Sequence, residues 1–257
     1  VEHTDFLDIL LEALSARGMR YTDASVVQNF AFEVPALLGP NPATDLVDIR
    51  LQDADVVLVR DDVVWHSPAS ANYSDNPTIY VGGQPLEITR GFASAVIEVK
   101  GKAYRIVSTH LTPKEEGEAE QLSQADELIA LLDGAIEPVF VMGDLNTAPG
   151  NTWTDSYGKF TAAGYTDLWS LGAPGDPGPT CCQDSDLLNT ASILDRRFDL
   201  VFYLDPAPLD GIGLADEVLA ERLGATPSEK TVSNLWPSDH AGVSVIARPI
   251  PGLGNQR

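Results

Sequence analysis

The sequence predicts an α/β domain in which two β sheets pack face to face with helices outside them. Two observations predict the class. Six short runs of β-forming residues are spread along the chain, and two amphipathic helical stretches accompany them, one lying between strands of a mixed order. At 257 residues, 44% hydrophobic and 21% charged, the chain can bury one large core and needs no second domain. The expected organisation is one domain over residues 1–248, followed by a frayed tail up to Arg257.

The first element is helical. Phe6, Leu7, Leu10, Leu11 and Leu14 recur at three- and four-residue spacings, Thr4 is placed to cap the start, and Gly18 follows the end. A second helix is predicted around 118–133, with Leu122, Ala125, Ile129 and Leu132 as its apolar stripe and Gly134 as its stop. Each should cover a sheet. The strand-like runs are 55–60, 93–100, 104–110, 139–144, 198–204 and 241–247, and Lys100 to Lys102 form a hairpin turn between two of them. The long segments 61–92 and 145–197 are rich in Gly, Pro, Ser and Asn, and loops of that length in a compact domain usually carry function.

Composition excludes several classes. With 38 acidic and 16 basic residues the net charge is -22, and no basic cluster exceeds Arg196 and Arg197. A protein that holds long polyanions by neutralising phosphates needs a basic face, so nucleic acid is disfavoured as a partner without being excluded. A bound divalent cation would supply positive charge locally, so a phosphoester substrate stays open. No apolar run reaches the length of a membrane span. The acidic surplus suits solubility in a salty or external medium, which points to a secreted or periplasmic location. Cys181 and Cys182 are the only cysteines and are adjacent, so they cannot staple distant parts of a fold. They are a free pair packed in a loop or a vicinal disulfide.

The polar residues at strand ends carry the functional signal. His110 closes one run, Asp144 and Asn146 close another in "GDLN", Asp199 lies in "RRFDLVF", and Asp239 with His240 opens the last. Alternation along an extended backbone would aim Asp144 and Asn146 to one side and Leu145 to the other. Each residue alone has a structural explanation, such as a turn-capping Asp or a satisfied histidine. One chemistry accounts for all of them. Asp144, Asn146 and Asp239 are hard oxygen donors suited to Mg²⁺, with Mn²⁺ or Ca²⁺ as alternatives. His240, oriented by Asp199, could take a proton from water, and His110 could donate a hydrogen bond or proton to a phosphoryl oxygen. The combination is metal-assisted phosphoester hydrolysis.

The ordered motifs "STHL", "GDLN", "RRFDLVF" and "SDHAGV" make the chain from about 90 to 247 similar to the endonuclease/exonuclease/phosphatase superfamily, the DNase-I-like group. The resemblance implies a four-layer α/β/β/α sandwich of two mixed sheets. It also implies metal binding by Asp144, Asn146 and Asp239, with Asn146 on the phosphate as well, a general base in His240 oriented by Asp199, and a phosphate contact from His110. The stretch "EITRGFASAVIEVKG" resembles an arginine-glycine strand of bacterial, exported members, which makes Arg90 a candidate phosphate contact; a solvated surface arginine is the alternative. Members normally open with a strand carrying an Asn and a strand ending in Gln-Glu, whose Glu is a metal ligand. "VEHTDF" resembles the residues just after that pair, so that Glu is expected upstream of Val1, with Glu2 as the substitute.

The reading that follows is a divalent-metal phosphodiesterase or phosphatase acting on a small or lipid phosphoester. The alternatives are a metal-dependent endo- or exonuclease, and a catalytically silent binding domain of the same fold. Serine-hydrolase chemistry is disfavoured, because Ser238, Asp239 and His240 are consecutive and cannot face one another as a triad.

Overall fold

The computed structural model describes residues 4–206 and 214–249. Glu2 and the tail beyond Pro249 lie outside them. In chain order the elements are α1 (Phe6–Ser15), β1 (Tyr21–Leu37), α2 (Pro42–Asp45), β2 (Leu46–Arg60), β3 (Val64–Asn72), β4 (Thr78–Val81), β5 (Gln84–Glu87), β6 (Gly91–Val99), β7 (Lys102–Thr109), α3 (Lys114–Leu132), β8 (Val139–Asp144), α4 (Ser156–Ala162), β9 (Thr166–Asp167), α5 (Leu168–Gly172), β10 (Asp199–Leu204), β11 (Leu214–Leu223) and β12 (Gly242–Pro249).

A mixed six-stranded sheet in the order β3-β6-β7-β8-β10-β9 forms the centre of an α/β fold. Only β7 and β8 run parallel, and α3 makes the crossover between them that parallel strands require. The sheet's two faces follow from strand alternation. Val107, Val141 and Phe202 are register partners on one face and pack against Ala125, Leu128 and Leu132 of α3 and Phe160 of α4. Ile106, Phe140 and Tyr203 are partners on the other. There the ribbon β1-β2 lays Ala24, Val27, Val57 and Val59 over Ala93 and Ala95, while the ribbon β11-β12 packs Val218 against Tyr203. Layering is therefore helix, sheet, then paired ribbons. Each Val, Leu or Phe side chain sealed in this way contributes roughly 1.5–3 kcal/mol, and each alanine methyl about 0.8 kcal/mol.

Several local expectations need correcting. Asp5, not Thr4, caps α1, accepting from the backbone N–H groups of Leu7 and Asp8. No described residue of α1 is buried, and Phe6 is 80% exposed, so this helix covers no sheet here. In α3 the inward face is Gln121, Gln124, Ala125, Leu128 and Leu132, because two glutamines are drawn inside by backbone partners described below. The hairpin turn is Lys100-Gly101, both at positive φ, and Lys102 is already paired with Val99. Segment 61–92 is not a loop but holds β3, β4 and β5, and β1 and β11 are strands with no sequence forecast.

Candidate active site

Topology brings the polar strand ends to one sheet edge. β7 and β8 are parallel, so His110 and Asp144 leave the sheet on the same side. β10 runs antiparallel to β8 and starts there, with Asp199 directly opposite Asp144. β6 also starts there, which places Arg90 beside them. Close approach of β7 and β8 at this edge depends on Gly143. Its φ is +142°, and a Cβ on it would stand 1.9 Å from the Thr109 carbonyl oxygen.

Asp144 and Asn146 share a location by a different route from simple alternation. β8 ends at Asp144, Asn146 takes a positive φ of 46°, and its backbone N–H donates to Asp144 Oδ1 at 2.9 Å. Leu145 is turned fully inward. The Asn146 amide nitrogen donates to the Leu111 carbonyl at 2.9 Å, and Gln121 Nε2 donates to the Asn146 carbonyl at 2.7 Å and that of Thr112 at 2.8 Å. Gln124 accepts from the Thr112 backbone N–H. The two buried glutamines thus tie the loops after β7 and β8 to α3, a supporting role that helix periodicity could not reveal.

His240 and Asp199 form a close pair, with Nδ1 donating to Asp199 Oδ2 at 2.8 Å. Burial alone would lower the His240 pKa, but the Asp199 hydrogen bond and the charges of Asp199, Asp144 and Asp239 outweigh it and raise it to about 9. Thr180 fixes the Asp199 end, its Oγ1 accepting from the backbone N–H groups of Phe198 and Asp199 at 3.1 Å each. The Thr180 carbonyl accepts from the N–H of Ala241, so the same segment also holds the His240 end.

His110 sits 3.5 Å from Asp144 through Nε2, and Arg90 Nη1 donates to its Nδ1 at 3.0 Å. Arg90 can only donate, so Nδ1 is the acceptor in that contact, while the Asn146 amide nitrogen lies 3.1 Å from Nε2 and presents a donor to that side of the ring as well. Burial first, then the Arg90 and His240 charges, lower the His110 pKa to about 3. His110 is therefore neutral at physiological pH. Arg90 approaches from behind His110: it is 6% exposed and paired with Asp53 at 3.2 Å.

Asp239 is exposed, and its carboxylate accepts from the Ser238 hydroxyl at 3.2 Å. Among the described residues no hydrogen bond or ion pair joins it to Asp144 or Asn146. It reaches the site through its charge on His240. Arg197 does not face the cleft. It makes a buried bidentate pair with Asp167 at 2.9 and 2.7 Å, anchoring the strand that leads into Asp199. Cys181 and Cys182 are joined as a disulfide, with Cys181 buried against Ala148 and Phe198.

Asp144 and Asn146 offer the carboxylate and amide oxygens that a hard divalent ion takes, while Asp239 stands apart from them, exposed. Asp144 is pushed up to about 6, first by burial and then by the charge of Asp199, the strain that a cation ligated by carboxylate and amide oxygens would relieve.

The profile of the Endonuclease/Exonuclease/phosphatase family matches residues 16–240. Among solved structures, the chain is similar to an endonuclease/exonuclease/phosphatase family protein from Leptotrichia buccalis, at 16% identity and a TM-score of 0.55, covering 96% of this chain and 80% of that one. Truncated Caenorhabditis elegans TDP2 gives 15% identity and a TM-score of 0.55 over 96% and 81%. The Danio rerio (D. rerio) TDP2 complexed with single strand DNA product gives 13% and 0.54 over 92% and 88%. These likenesses show the fold. No curated protein matches the chain.

Proposed function

The chain belongs to the endonuclease/exonuclease/phosphatase family, and from that premise we propose that it is a divalent-metal-dependent phosphoester hydrolase acting on a small or lipid phosphoester. The family includes metal-dependent phosphoesterases and nucleases. The observation that carries the reading is the meeting of His110, Asp144, Asn146 and the His240–Asp199 pair at one edge of the sheet.

Asp144 and Asn146, joined by Asp239, would hold the ion, Mg²⁺ in the first instance. Bound there, it would offset phosphate charge and make a coordinated water more acidic. Asp199 holds the His240 ring by Nδ1, and Nε2, once the carboxylate charges that keep the ring protonated are opposed by a bound cation, would be free to accept the proton of the attacking water. His110, kept neutral and backed on Nδ1 by Arg90, would carry its proton on Nε2 and donate a hydrogen bond to a phosphoryl oxygen in place of its Asn146 contact as negative charge gathers there. Arg90 acts through His110 and is a positioning residue.

The net charge of -22 favours a compact substrate over a long nucleic acid. Among the described residues no helix is long and apolar enough to cross a membrane. The acidic surface and the disulfide suit an oxidising, extracytoplasmic setting.

The test is hydrolysis of a bis-aryl phosphate. Activity should need Mg²⁺ or Mn²⁺, stop with EDTA and disappear in His240→Ala. A parallel panel of plasmid DNA, sphingomyelin vesicles and an inositol phosphate sorts the substrates. Preference for DNA would establish the nuclease alternative, and inertness toward the whole panel would leave a binding domain.

A further inference from the structure

The cysteine pair stands against the atom of His240 that the proposed reaction needs. Cys181 is flanked on both sides, bridging in antiparallel fashion to Arg196 and to His240. Gln183 N–H donates to the Asp239 carbonyl at 2.8 Å, so the segment is laced to the strand start that carries His240. Cys182 is exposed, and its sulfur lies 3.7 Å from His240 Nε2. The two sulfurs and a ring nitrogen of His240 all fall within 4.8 Å of one another.

We propose that Cys181 and Cys182, when reduced, form with His240 Nε2 a three-ligand site for a thiophilic divalent ion such as Zn²⁺. The Cys182–His240 separation suits such an ion, and breaking the disulfide would let the two sulfurs part to the roughly 3.8 Å that two thiolates on one zinc require. A tetrahedral zinc with Zn–S near 2.3 Å and Zn–N near 2.0–2.1 Å separates a sulfur and a nitrogen ligand by about 3.6 Å, close to the 3.7 Å between Cys182 Sγ and His240 Nε2. Asp199 already holds Nδ1–H, an arrangement that fixes the tautomer and strengthens Nε2 as a ligand. Two thiolates and an imidazole select a soft ion over magnesium, whereas the oxygen set around Asp144 selects a hard one. Adjacent sites would thus take different metals.

The chemistry balances in two steps. An external dithiol gives two electrons and two protons to the Cys181–Cys182 bond, which breaks to two thiols while the external dithiol closes its own disulfide. The ion then displaces a proton from each thiol and one from the protonated Nε2, whose lone pair it takes. In the oxidised state neither sulfur carries thiolate charge, so the site does not exist. On the hydrolase reading, from which this consequence alone follows, occupation withdraws the base. The chain would be silent where thiols and zinc coexist and released on oxidation.

The experiment uses the whole chain, reduced with dithiothreitol and desalted under argon, then titrated with Co²⁺ alone. One equivalent should give the near-ultraviolet thiolate-to-cobalt charge-transfer band, and Zn²⁺ should bleach it. Oxidised protein and Cys182→Ser, which alters an exposed sulfur, should lose the band or weaken binding on the order of a hundredfold. His240→Ala should weaken it at least about tenfold, and Asp199→Asn by about 10–100-fold. Absence of the band in reduced protein overturns the proposal. So does unchanged affinity in both His240→Ala and Asp199→Asn. Cobalt at the oxygen ligands gives no thiolate band, so failure of this site and failure of the hydrolase reading are read separately.

Discussion

Asp55 offers a quantitative test of how the site is built beneath Arg90. Its carboxyl, half-buried on β2, accepts from Asn29 Nδ2 at 2.9 Å and has Asp53 beside it. Burial, with the Asp53 charge adding to it, raises its pKa from 3.8 to about 6, against the opposing effects of Asn29, Arg90 and a backbone N–H. The gap of about two units corresponds to about 3 kcal/mol at 1.36 kcal/mol per unit. Remaining solvent contact reduces this to about 2 kcal/mol. Because the folded value lies above the unfolded one, this stability is fully present below pH 3.8 and is lost as the pH rises through about 6. Asp55→Asn keeps the shape and the acceptor for Asn29 but never ionises. Its Tm should match the parent at pH 4 and exceed it by on the order of 4–8 °C at pH 7.5, using 2–4 °C per kcal/mol. Thermal unfolding followed by circular dichroism at half-unit pH steps measures the difference. A Tm difference that stays flat from pH 4 to 7.5, or a variant less stable at pH 7.5, refutes the reasoning.

Other perturbations have equally definite outcomes. Arg197→Leu leaves Asp167 buried without its bidentate partner and should cost about 3–5 kcal/mol, read as a lower urea midpoint; a loss below about 1 kcal/mol would mean that the pair is dispensable. Gly143→Ala drives a methyl into the Thr109 carbonyl, so the protein should be poorly folded or lose its activity with a shifted near-ultraviolet spectrum. A soluble, fully active variant would contradict the close β7–β8 approach. Asp199→Asn should lower the hydrolysis rate by about 10²–10⁴ in a chain that still folds, since Thr180 still holds the Asp199 backbone, with a lower Tm at pH 7 from the lost His240 pairing.

The sites where motifs meet strand ends were legible because two simple rules operate there. Parallel β7 and β8 carry His110 and Asp144 to one edge, and antiparallel β10 returns with Asp199 opposite. Hydrophobic runs mark such strands directly. Four features escaped because their causes are tertiary. Gln121 and Gln124 look like solvent-facing helix residues, yet their amides satisfy loop carbonyls and N–H groups that would otherwise be buried alone. Asn146 reaches Asp144 by a left-handed turn rather than by strand alternation. β1 escaped because only the near half of its hairpin with β2, from Ala24 to Asn29, meets the sheet, while Leu37, Leu46 and Leu51 remain exposed. Cys182 beside His240 depends on a bridge between segments 58 residues apart in sequence.

A double-mutant cycle on Asp144→Asn and His240→Ala tests the central claim most directly, with Mg²⁺-dependent hydrolysis of a bis-aryl phosphate as the readout. If the carboxylate and the imidazole serve one hydrolytic centre, the double variant should be no slower than the worse single variant, because groups acting as a unit lose their effect together. Losses that multiply across the two variants would contradict it.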